Sequence, residues 1–142
     1  MKSLICAASI ACLLVVAAVA SRPAGAADDG KLDSIEKIME KLHKGKNSSM
    51  GILKVALKRQ SPDWTKIQKE SKTFATVSAD LPKFDPPKGD PASFKKLAKA
   101  YASNAKALET AAKKEELDGT KAALRKLTGS CMGCHDAHKK ED

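Results

Sequence analysis

The chain has 142 residues and a formal net charge of +9, from 26 lysines and arginines against 17 aspartates and glutamates. Aromatic residues make up 4% of it, with one Trp and one Tyr. The basic residues are spread along helical patterns, without a nucleic-acid motif or stacking platform, so nucleic acid is excluded as a partner and the charge reads as solvated helix faces.

Residues 1–26 have the three regions of a secretory signal: Lys2, an apolar run from Leu4 to Ala20, and the small residues Ala24-Gly25-Ala26. The run is followed by Arg22 and an A-x-A pattern, so cleavage after Ala20 or Ala26 is expected in place of a permanent membrane span. Around Cys12 the most apolar residues follow the cysteine, which argues against a lipoprotein anchor. Residues 27–142 then form one modest domain in the periplasm or another extracytoplasmic space. Its net charge is +7, because Lys2 and Arg22 leave with the signal while all 17 acidic residues stay. Of the four cysteines, Cys131 and Cys134 remain.

Apolar residues recur at three- and four-residue steps, and no stretch alternates as a strand would. The first segment places Leu32, Ile35, Met39, Leu42 or His43, then Met50, Leu53 and Leu57 on one stripe. Gly45-Lys46-Asn47-Ser48-Ser49 interrupts it, giving one kinked helix or two short ones. Ser61-Pro62-Asp63 reads as the next start, with Ser61 as cap, followed by Trp64, Ile67, Ser71, Phe74, Ser78 and Leu81 up to Pro82. After the Pro86-Pro87-Lys88-Gly89 loop, Asp90-Pro91 starts a helix whose stripe is Phe94, Leu97, Tyr101, Ala105, Leu108 and Ala112, running to about Lys114. The last segment carries Leu117, Thr120, Leu124, Leu127, Cys131 and Cys134 or His135 on one face. Four amphipathic segments joined by short loops predict an all-α, antiparallel four-helix bundle.

Cys131-Met132-Gly133-Cys134-His135 is a C-x-x-C-H sequence, the attachment signature of a c-type haem. On a helix, residues three and four apart share a face, so two thiols and an imidazole project toward one flat object. The thiols suit thioether bonds to the haem vinyl groups and the imidazole suits iron; Gly133 leaves room for the ring. Two other uses of these residues fit less well. A thioredoxin-type dithiol belongs at a strand-to-helix junction, and no strand is predicted. A zinc site using Cys131, Cys134 and His138 would need a distant fourth ligand such as His43. One covalent haem c, held by Cys131 and Cys134 with His135 as proximal iron ligand, is therefore expected.

With this motif near the C-terminus, on the last of four predicted helices, the chain resembles the class II cytochromes c, the cytochrome c′ and cytochrome c556 family. The family pattern after the motif is a polar pair, an aromatic and a basic residue. Here Asp136-Ala137-His138-Lys139 keeps the basic residue and puts His138 in the aromatic's place. The resemblance implies that a side chain of the first helix faces the far side of the haem.

That residue decides function, because two protein ligands saturate the iron and favour electron transfer, whereas one leaves a position for a small gas. His138 and Met132 lie on the haem-bearing helix and cannot easily reach the opposite face. Met39 and His43, one helical turn apart, are the candidates. In family members with a distal methionine, a second methionine often stands seven residues further on; Met50 fits that second place, which by resemblance puts His43 at the ligand position and leaves Met39 as the alternative. The expected protein is a one-electron carrier, not an enzyme, since no distal His and Arg pair is recognisable. Its lysines, including Lys95, Lys96, Lys99, Lys139 and Lys140, would steer it toward acidic redox partners. A five-coordinate binder of nitric oxide or carbon monoxide is the competing reading, and the family's frequent dimers make a homodimer an expectation to test.

Overall fold

A computed structural model describes residues 32–140; the expected signal at residues 1–26 lies outside the described residues. Among the described residues six α-helices follow one another: α1 Ile35–His43, α2 Ser49–Ala56, α3 Trp64–Ser78, α4 Pro91–Lys113, α5 Leu117–Gly129 and α6 Cys131–His138, with a 3₁₀ turn at Leu81–Lys83. No strand occurs among the described residues. The elements group into four antiparallel rods, α1 with α2, α3, α4, and α5 with α6.

The first rod is two helices because each half has its own start signal. Ser34 accepts a hydrogen bond from the Lys37 amide and begins α1, and Ser48 accepts one from the Gly51 amide and begins α2. Between them Gly45 takes a φ of 81°, a left-handed conformation that glycine adopts without a Cβ penalty and that stops the first helix.

Ser61 does not cap α3, contrary to the sequence expectation. Asp63 does, accepting from the Lys66 amide at 3.1 Å, so Pro62 lies outside the helix. The regular helix ends at Ser78, and Pro82 sits in the 3₁₀ turn instead of stopping the helix directly. At α4 the expected signal holds: Asp90 accepts from the Ser93 amide at 2.7 Å and Pro91 opens the first turn, where its missing N–H costs nothing.

The last rod also breaks, at Ser130. The Leu127 carbonyl accepts both the Ser130 N–H and, at 2.7 Å, its hydroxyl. This tightens the end of α5 and lets α6 begin as a separate turn carrying the cysteine motif.

Ile38, Leu42, Leu53, Ile67, Phe74, Leu108 and Leu127 are completely buried and join all four rods in one core. Ala98, Ala105 and Ala112, spaced by seven on α4, are buried as well; their small side chains let α3 and α5 approach the central helix closely. The antiparallel order can be read from side chains. Gln68, in the first turns of α3, hydrogen-bonds the Ala112 carbonyl near the end of α4. His138, at the end of α6, reaches Ser93 near the start of α4.

Candidate functional site

At the end of the bundle where α6 meets the start of α4 lies a cavity of about 820 Å³, within the roughly 300–1,000 Å³ common for small-molecule and cofactor sites. One wall is α6, through Cys131, Cys134 and His135; another is α1, through Met39 and His43. All five residues singled out from the sequence thus line the same space. Between these walls the lining is mainly apolar, with Leu81, Phe84, Phe94 and Leu97.

Cys131 and Cys134 are free thiols, half-buried, three residues apart on α6. Burial pushes both above the ordinary thiol range; Lys54 partly offsets this for Cys131, and Cys131 adds to it for Cys134. The haem-free pair is therefore held as neutral thiols at neutral pH. His135 is exposed along the rim of the same wall. The spacing and the apolar space beside it fit a group held through both thiols with an imidazole close by.

Residues just beyond the motif fix the wall in place. His138 is 3% exposed. Its Nδ1 lies 3.1 Å from the Lys88 carbonyl oxygen and its Nε2 3.3 Å from Ser93 Oγ, and its ring meets Phe94 edge-on at 5.6 Å. The histidine in the family's aromatic position thus supplies the buried ring and also hydrogen-bonds the loop before α4. Gly89 makes this docking possible: its φ is 79°, and a Cβ there would lie 2.6 Å from the Ala137 carbonyl oxygen and 2.8 Å from His138 Nδ1.

The α1 wall is built differently. Met39 is half-buried against the core. His43, one turn later, packs edge-on against Phe74 of α3 at 5.5 Å, and its Nε2 lies 2.7 Å from the Tyr101 hydroxyl of α4. Burial lowers the pKa of His43, and electrostatic interaction with His135 and Lys54 adds to the effect, so the ring is neutral at neutral pH. Tyr101 is buried, and burial first, then Cys131, drives its phenol far above the ordinary value, keeping it protonated. Met50 is 5% exposed and belongs to the core.

Sequence periodicity marks Tyr101 only as a stripe residue. A stronger signal was present: it is the one tyrosine of the chain, and a tyrosine on a buried helix face needs a partner for its hydroxyl. The partner could not be named, because it lies 58 residues away. Charged residues also line the cavity: Glu36 and Glu40 on α1 with Asp33 just before it, Asp85 in the loop before α4, and Lys139 and Lys140 after α6. Among the described residues no helix is long and apolar enough to cross a membrane.

No curated protein and no solved structure matches the chain. The family model for cytochrome C′ matches residues 88–139, the span from the loop clamped by His138 through α4, α5 and the cysteine motif. That match over the second half of the domain supports the resemblance to the class II cytochromes c and agrees with the all-helical bundle.

Proposed function

We propose that the protein is an exported mono-haem c-type cytochrome that carries single electrons, with thioether links at Cys131 and Cys134, His135 as proximal ligand and His43 as sixth ligand. The observation that carries this reading is one cavity with the two thiols and His135 on its α6 wall and the half-buried imidazole of His43 on its α1 wall. When bound, the haem supplies an iron centre that takes up and releases one electron.

The chain's own residues prepare that site. The neutral state of His43 leaves the imidazole able to act as a ligand, which a protonated ring cannot do. Phe94, Leu97, Leu81 and Phe84 line the cavity and would keep water from the bound group. Lys95, Lys96, Lys99 and Lys140, exposed on α4 and after α6, give acidic redox partners a surface to approach. Removal of residues 1–26 on export would be checked by N-terminal sequencing of the mature protein.

The test is absorption and electron paramagnetic resonance of the ferric protein matured with the haem-attachment machinery. A low-spin spectrum that turns high-spin in His43→Ala, and is unchanged in Met39→Leu, supports the assignment. A high-spin wild-type spectrum indifferent to His43→Ala overturns it. The second reading, a five-coordinate binder of nitric oxide or carbon monoxide, is favoured by the hydrogen bond that already occupies His43 Nε2. The same spectra separate the two.

A further inference from the structure

We propose that Tyr101 is the positioning residue of the sixth ligand: its hydroxyl competes for His43 Nε2 and makes His43 a displaceable ligand, so that a small neutral molecule can take its place. The inference rests on the haem reading above.

The ring of His43 is held between two helices. Phe74 of α3 meets it edge-on, with the planes at 77°, and the Tyr101 hydroxyl of α4 lies 2.7 Å from Nε2. In either tautomer Nε2 is committed. As acceptor, its lone pair is directed at the phenol hydrogen; as donor, it carries the proton itself. A bond from that atom to a metal requires the free lone pair, so the hydrogen bond to Tyr101 and the bond to iron exclude one another. The exchange is balanced: one nitrogen-to-iron bond breaks, the incoming ligand's bond forms, and the released lone pair finds a hydrogen bond instead of being left unpaired in an apolar cavity, which costs free energy. Tyr101 can fulfil this role because it is buried and lines the same cavity as Cys131, Cys134 and His135. Phe74 confines the ring to the α3–α4 side, which limits how far the displaced imidazole must move.

The test is Tyr101→Phe, which keeps the ring and removes the hydroxyl, in the haem-loaded protein and also in a His43→Ala background. Carbon monoxide affinity of the ferrous protein should fall about two- to tenfold, the worth of one hydrogen bond, and the ferric spectrum should gain low-spin character. Tyr101→Leu, which also lacks the hydroxyl, should lower the affinity in the same direction. In the His43→Ala background Tyr101→Phe should change nothing, because the two residues act as one unit. Unchanged carbon monoxide affinity in Tyr101→Phe, or an effect that persists without His43, overturns the proposal. If His43→Ala turns the protein high-spin while Tyr101→Phe is silent, the role of Tyr101 alone falls. If His43→Ala leaves the ferric spectrum unchanged, the sixth-ligand reading falls with it.

Discussion

The α6 wall of the cavity takes its functional groups from five consecutive residues, Cys131 to His135, and the clamp that holds them from His138, three residues further on. The α1 wall draws on three helices: His43 from α1, Phe74 from α3 and Tyr101 from α4. On α6, helical spacing alone puts the thiols and the imidazole together, so the chemistry is written into the local sequence. On α1 the imidazole's role depends on which groups the tertiary packing sets around it. The family match, residues 88–139, spans the first wall and Tyr101 but leaves out His43 and Phe74.

The largest expected effect breaks the self-contained wall. Cys131→Ser with Cys134→Ser should abolish covalent haem attachment, so that mass spectrometry finds only the apo mass and haem staining after denaturation finds none. Retention of a covalently bound porphyrin in this double variant would remove the ground for reading the motif as an attachment site.

The same contrast governs what was legible in the sequence. The α4 start at Asp90-Pro91 and the haem motif are signals within a few residues, and the structure has the helix where that signal puts it. The break in the first rod was legible as weak propensity at Gly45 to Ser49, but the choice between a kink and two helices rested on the φ of Gly45 and the cap by Ser48. Ser61 misleads as a cap because two capping residues flank Pro62, and only the Asp63 side chain reaches an amide three residues on. Periodicity rightly puts Met39 and His43 on one face. The partner at Tyr101 depends on the vertical register of α1 against α4, which no helical period encodes. His138 reads in sequence as a departure from an aromatic; its hydrogen bonds to the Lys88 carbonyl and Ser93 depend on a loop some fifty residues earlier.

Two substitutions sharpen the account of the α6 wall by loosening its clamp without touching the motif. Gly89→Ala forces a side chain into a left-handed backbone and against the Ala137 carbonyl. It should cost about 2–3 kcal/mol, visible as a lower midpoint in chemical denaturation with an unchanged slope. Wild-type stability in this variant would show that the loop does not clamp α6. His138→Phe keeps the aromatic packing on Phe94 but removes the two hydrogen bonds from His138 to the Lys88 carbonyl and the Ser93 hydroxyl. A smaller loss of about 1 kcal/mol is expected, and if His138→Phe proves as costly as Gly89→Ala, the hydrogen bonds and not the ring shape hold the wall.

The smallest effect belongs to the α1 wall and lies in its pH dependence. Burial, with His135 and Lys54, lowers the pKa of His43 in the folded chain, while in the unfolded chain it stands near its ordinary 6.5. Between these two values the unfolded state binds the extra proton, so stability must rise with pH across that window. The contribution is fully present above about 6.5, where both states hold a neutral ring, and is lost as pH falls toward the lowered folded value. In the haem-free Cys131→Ser, Cys134→Ser chain, His43→Ala should therefore flatten the slope of unfolding free energy against pH just below 6.5. If the slope survives His43→Ala unchanged, the neutral imidazole at position 43 does not set it, and the distal assignment loses its physical basis.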